Sequence, residues 1–163
     1  MEIMSDKKSL FQAIDAQRDT LCSMADQIFD NPEYEGEEVF ASGLLTDYLI
    51  ANGFDVQMGV GGFKTAFRAT YSHGEGGPVI GILCEYDALR NLGHGCGHHM
   101  QGPGCLGAAV ALKNLDTDKS FQLVVYGTPA EETFGSKVQM IQNGCFKELD
   151  VALMMHGGPN TCT

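Results

Sequence analysis

An α/β fold with a sheet that is at least partly parallel is what this sequence predicts, and three observations predict it. Short apolar runs bounded by turn residues alternate with segments of helical spacing. Two of those runs, "PVIGILCEY" and "FQLVVYGTP", are almost continuously apolar, as strands covered on both faces are. The residues with chemistry fall at the ends of runs: "CEYDA" after "PVIGIL", "TPAEE" after "FQLVVYG" and "HGG" after "VALMM". Open α/β sheets place their sites beyond the carboxyl ends of the strands.

The elements follow in order. From Lys8 to Phe29, Leu10, Ile14, Leu21, Met24, Ala25 and Ile28 recur at three- and four-residue steps, which predicts one helix. Asn31-Pro32 breaks it. A second helix is predicted from Glu37 to Ala51 and ends at Asn52-Gly53. "FDVQMGV" and "KTAFRATY" read as two strands joined through a "GGF" hairpin turn. The "GVGG" at positions 59–62 lacks the spaced Lys-Ser/Thr of a phosphate-binding loop. After the strand "PVIGILCEY" comes a glycine-rich loop, then a small-residue helix in "CLGAAVALKNL". "FQLVVYGTP" is a strand, "SKVQMIQNG" a helix ending at Gly144 and "DVALMMHGG" a last strand.

Composition narrows the function. A chain of 163 residues, 44% apolar, suits one domain with a real core. Its net charge of −11 repels phosphate backbones and anionic membrane surfaces, so no nucleic-acid or membrane partner is expected. No apolar run is long enough to span a bilayer, and "MEIMSDKKSL" has no signal-peptide core, so a cytoplasmic protein is expected. The six cysteines, Cys22, Cys84, Cys96, Cys105, Cys145 and Cys162, are scattered and are expected as reduced thiols.

The chemistry concentrates in "GHGCGHH", residues 93–99. Cys96 and His98 stand two apart on a predicted loop, and flanking glycines let the backbone close around one centre. With Glu85, Asp87, Glu131, Glu132 and His156 expected at the same sheet edge, thiolate, imidazole and carboxylate are ligand types for a zinc-like ion. Neighbouring Glu131 and Glu132, in an extended or turn conformation, would point apart. One can then bind metal while the other faces a water as general base. Each feature alone has a plainer reading: surface glutamates, a hydrogen-bonded structural His156, Asp87 and Glu85 as turn caps. Cys96 as a nucleophile with His94 or His98 as its base is a further alternative, but it leaves the glutamate pair and His156 unexplained.

At "CEYDALRNLGHGCGHH" the sequence resembles the metal-dependent amidohydrolases and peptidases that include aminoacylase and the carboxypeptidases of that type. The nearest branch holds the aminobenzoyl-glutamate hydrolases, the β-alanyl-dipeptide hydrolases and the auxin-conjugate and hippurate hydrolases. That branch carries an acidic-x-Asp-Ala-Leu-Pro segment, Gly-His-x-Cys-Gly-His, Pro-Ala-Glu-Glu and a later Met-x-His. Here these are "EYDAL", "GHGCGH", "PAEE" and "MMHGGP", in order and with matching gaps. The resemblance implies that Cys96, His98, Glu132 and His156 are metal ligands and that Glu131 is the catalytic base. It implies that Asp87 orients a ligand, that His94 supports the site, and it leaves Glu85 without a role. It implies a three-layer α/β/α catalytic domain with a mostly parallel central sheet. It also implies two divalent ions, zinc or manganese, and hydrolysis of an amide bond in an N-acyl amino acid or dipeptide.

The sequence departs from that pattern in three ways. Arg90 stands where Pro is usual, and His99 where Asp or Asn is usual, so His99 is expected to compete for metal or alter the local charge. Family members also run to roughly twice this length or more, with a lid or dimerisation domain and a returning segment that brings one more ligand histidine. Residues 1–163 would then be the N-terminal portion of the catalytic domain, with weak or no activity alone and with uncovered surface that favours self-association. A non-catalytic metal-binding or assembly module of the same family is the alternative.

Overall fold

The computed structural model describes residues 2–158, with side chains from Lys7 onward. Pro159 of the "MMHGGP" motif and Cys162 lie outside the described residues. Six helices and five strands run in the order α1 (Glu2–Asp15), α2 (Arg18–Asp30), α3 (Val39–Ala51), β1 (Asp55–Met58), β2 (Phe67–His73), β3 (Val79–Cys84), α4 (His98–Lys113), β4 (Phe121–Gly127), α5 (Glu131–Phe134), α6 (Ser136–Gln142) and β5 (Val151–Leu153).

The strands form one sheet in the order β1-β2-β4-β3-β5. β3 lies between β4 and β5 and is parallel to both, with Ile82 opposite Val125 on one side and Leu153 on the other. β1 and β2 form the hairpin that the sequence predicts, and β2 is antiparallel to β4. The sheet is therefore mixed, and its parallel part carries the three strand ends that hold the chemistry.

Alternation along the central strands divides the core in two. Leu123 and Val125 of β4 face a large cluster with Met24 and Ile28 of α2, Leu45 and Leu49 of α3, and Leu106 and Val110 of α4. Val124 and Tyr126 face a smaller cluster with Val60, Leu83 and Met140 of α6. Helices thus cover both faces, in the three-layer arrangement. Gly127 serves the sheet directly: a Cβ there would lie 2.2 Å from the Phe67 ring. Among the described residues no helix is long and apolar enough to cross a membrane.

Two helix boundaries differ from expectation. The predicted helix Lys8–Phe29 is two helices, broken at Ala16-Gln17. Gln17 turns its side chain back to the Ala13 carbonyl at 2.8 Å, accepts the Tyr48 hydroxyl and meets the Gly107 carbonyl at 3.5 Å. A long-range polar contact therefore sets the break, which apolar spacing does not record. Helix α4 starts at His98, not at the predicted Cys105, so His98 sits in a helical first turn and only Cys96 stays in the loop. Pro103 and the glycines in this stretch mask the helix, although Gly97, at φ 84°, is what lets the chain turn into it.

Candidate metal centre

Four chain segments meet beyond the carboxyl ends of β3, β4 and β5. The β3 end brings Glu85 and Asp87, α4 brings His98, the turn after β4 brings Glu131 and Glu132, and the β5 end brings His156.

His98 is the hub. It is 99% buried, with Nδ1 at 3.0 Å from the Asp87 carbonyl and 3.1 Å from Asp87 Oδ1. Both neighbours only accept, so Nδ1 carries the proton and the neutral ring turns a bare Nε2 the other way. That nitrogen lies 3.3 Å from Glu85 Oε2, 3.3 Å from His156 Nε2 and 3.8 Å from Glu132 Oε1. His156 repeats the pattern, since its Nδ1 is 2.7 Å from the Gly157 carbonyl and its Nε2 faces inward. Glu131 stands close by, with a carboxylate oxygen within 4.8 Å of ligand atoms of His98 and Glu132.

Lone-pair atoms therefore face one another across a few ångströms. Such a cluster repels itself unless a positive charge sits within it, either a proton or a cation. Burial pushes the His98 imidazole down, but Asp87 and Glu85 outweigh burial and hold it above its ordinary value. Burial likewise favours the neutral acid at Asp87, yet the hydrogen bonds from His98 and from the Glu132 backbone N–H, at 3.0 Å, hold its carboxyl below the usual range. Imidazole, carboxylate and thiol are the donor set of a divalent transition ion, so residue types and spacing fit such an ion.

Cys96 hydrogen-bonds to Glu132, and this bond, with burial and the nearby carboxylates, pushes its thiol up to about 11. Its own carbonyl lies beside Gly157, next to His156. Of the ligands the sequence singled out, His98, Glu132 and His156 have converging ligand atoms, together with Glu85 and Glu131. Cys96 belongs to neither converging group among the described residues, and Asp87 contacts the site through His98 Nδ1.

Glu131 and Glu132 occupy a four-residue helical turn, not the extended or open turn expected. Its entry residue, Ala130, has φ 53°, which disfavours a residue with a Cβ. A carboxyl group from the far end of the sequence holds it there. Glu38, fully buried, accepts from the Ala130 and Gly36 backbone N–H groups at 2.9 and 2.8 Å and from Thr65 Oγ1 at 2.9 Å. Gln101 likewise ties two strand ends, accepting from Glu85 N–H at 3.2 Å and donating to the Met155 carbonyl at 2.6 Å. Lys137 of α6 pairs with Glu85 Oε1. Sequence reasoning missed Glu38, Gln101 and Lys137. Each is a lone polar residue with no spacing partner, and its only signal would have been its place beside a strand end or turn.

The departing residues sit outside this cluster. His99 packs its ring against Phe29 at 5.0 Å and His94 at 5.3 Å. It belongs to neither group of converging ligand atoms found among the described residues. His94 is buried there too, where burial and His99 push its imidazole down to about 4. Arg90 pairs with Glu35 and lies over the Tyr34 ring at 5.4 Å, tying the loop after β3 to the turn between α2 and α3.

Residues 83–163 match the family described as peptidase family M20/M25/M40. A subunit of the p-aminobenzoyl-glutamate hydrolase of Escherichia coli is 36% identical over 163 aligned residues, covering 88% of this chain and 34% of that protein. The Xaa-Arg dipeptidase of Mus musculus is 36% identical, covering 92% of this chain and 38% of that one. Among solved structures, a dinuclear metal binding peptidase from the M20 family of Bacillus subtilis superposes with a TM-score of 0.79 at 24% identity, over 90% of this chain and 44% of the other. The aminobenzoyl-glutamate utilization protein of Klebsiella pneumoniae gives 0.73 at 19% identity, over 91% and 46%. At those identities the structural likeness establishes the fold. The chain spans about a third of the length of the curated relatives it matches.

Proposed function

The chain belongs to peptidase family M20/M25/M40, and from that premise we propose that it is the metal-binding part of a hydrolase that cleaves amide bonds in N-acyl amino acids or dipeptides. The convergence of bare nitrogen and carboxylate atoms around His98 Nε2 supports this reading above any other observation. Cys96, His98, Glu132 and His156 would hold two divalent ions, zinc or manganese. When bound, the ions lower the pKa of a water toward about 7 and polarise the scissile carbonyl.

The chain's own residues do the rest. Asp87 keeps the proton on His98 Nδ1 and so keeps Nε2 free. A Glu131 carboxylate oxygen takes a proton from the attacking water as its oxygen bonds to the amide carbon. The same oxygen then gives that proton to the amine nitrogen as the C–N bond breaks, leaving a free amine and a carboxylic acid whose remaining O–H proton is released to solvent. The relatives' names, an aminobenzoyl-glutamate hydrolase and a dipeptidase for Xaa-Arg, support small substrates with a free amino-acid end.

In this reading the chain alone turns substrate over weakly or not at all. His156 is 43% exposed at the open edge of the site, so these residues by themselves neither exclude water nor clamp a substrate. The open sheet edge at β5 supports self-association. The described cysteines are all unpaired, as a reducing cytoplasm would keep them.

Metal content and amidase activity, measured on one purified sample with aminobenzoyl-glutamate and Xaa-Arg dipeptides, test the proposal. About two ions per chain are expected, with slow turnover that vanishes in Glu131→Gln while the metal stays bound. A chain that takes up no divalent ion contradicts the hydrolase reading. Turnover as fast as the relatives' contradicts the reading of weak isolated activity.

A further inference from the structure

The resemblance supplies four ligands and leaves Glu85 without a role, but Glu85 holds a buried oxygen without a partner. Its side chain is 99% buried, and Oε2 has no hydrogen-bond partner, while Oε1 is held by Lys137 Nζ. The orphaned oxygen is aimed at two imidazole nitrogens, His98 Nε2 at 3.3 Å and His156 Nε2 at 4.0 Å, which are themselves 3.3 Å apart. Both rings use their other nitrogen as a donor elsewhere, to Asp87 and to Gly157, so in their neutral forms neither offers Glu85 a proton. A buried carboxylate oxygen facing two lone pairs is costly without a cation between them. A tetrahedral zinc with ligands at about 2.0–2.2 Å sets ligand atoms about 3.3–3.6 Å apart. The two spacings at His98 Nε2, 3.3 Å each, match this, and the Glu85–His156 spacing of 4.0 Å is a few tenths of an ångström longer.

We propose that Glu85 is itself a metal ligand, closing a three-ligand site with His98 and His156. Lys137 is its positioning residue. The lysine fixes Oε1 from the α6 side, so Oε2 is the oxygen presented to the rings, and the Gln101 bond to the Glu85 backbone fixes the main chain behind it. Glu132 and Glu131, whose carboxylate oxygens converge with His98 in a second group, are left to a neighbouring position. This inference rests on the metal reading above and adds a ligand to it.

The test compares the purified chain with Glu85→Gln and Glu85→Asp, using cobalt(II) and zinc as probes. Its readouts are ions retained after dialysis, affinity by competition with a chelator, and the visible absorption of the cobalt-loaded protein. Thermal unfolding of the metal-free proteins checks the fold. Gln keeps the shape and the Lys137 contact and can donate to a ring nitrogen, so metal-free Glu85→Gln should melt no lower than the parent. It should hold about one ion fewer, or bind at least about tenfold more weakly, with an altered cobalt spectrum. Glu85→Asp keeps the charge but shortens the reach, and should also bind more weakly than the parent. If Glu85→Gln binds like the parent, or Glu85→Asp binds and absorbs like the parent while Glu85→Gln does not, Glu85 acts at most through its charge and ligation is wrong. If the parent chain takes up neither ion, the metal reading itself fails, a result distinct from either of those.

Discussion

Cys96 separates the two chemistries that its sequence context allows. A nucleophilic cysteine needs a depressed pKa and a base within reach. Here Glu132 accepts from the thiol and, with burial and other carboxylates, pushes it up to about 11. The metal-free chain should therefore alkylate slowly at Cys96 with iodoacetamide at pH 7, and Glu132→Gln, which removes the largest cause, should speed it. Peptide mapping by mass spectrometry reads both rates, and rapid alkylation of Cys96 in the parent chain would revive the nucleophile reading. At this scale the sequence was most legible where residue types are rare and clustered. Cys96, His98, Asp87, the glutamate pair and His156 all announced themselves through motif and strand-end position. Glu38 and Lys137 did not, because what makes them matter is the backbone and carboxylate they reach across the fold, not their neighbours in sequence.

The elements divide along the same line. β3 and β4 were legible because a strand covered on both faces must be apolar throughout, and few other structures require that. The break between α1 and α2 was not, since the apolar spacing runs on through it and the contacts of Gln17 at the break leave no mark on that spacing. The turn at Glu131–Phe134 was illegible for a related reason: a carboxyl group 92 positions away in sequence holds its left-handed entry at Ala130. Glu38→Ala removes three hydrogen bonds at a fully buried position, so it should destabilise the chain by about 2 kcal/mol or more in urea unfolding. It should also lower metal affinity by loosening Glu132. A loss of stability with metal binding untouched would show that Glu38 supports the core but does not set the site.

The whole molecule combines a net charge of −11 with an open apolar margin. β5 pairs on one side only, and Leu153, Met154 and Met155 beside it are exposed. Unpaired edge groups next to apolar side chains favour association, while like charge opposes it, so added salt should tip the balance toward assembly. Light scattering across concentration and salt should show association that Leu153→Lys weakens, and a salt-independent monomer would contradict this. The fold class and the sheet edge that carries the site were legible from the sequence, because both follow from strand ends. The mixed sheet order was not, since pairing partners are chosen by contacts far apart in the chain.

X-ray absorption at the metal edge of the zinc-loaded chain tests the central claim most directly. The account predicts a low-coordinate shell of nitrogen and oxygen at about 2.0–2.2 Å, with imidazole scattering and a sulfur contribution at about 2.3 Å that Cys96→Ser removes. A shell of oxygen alone, with no imidazole signature and no change in Cys96→Ser, would contradict it.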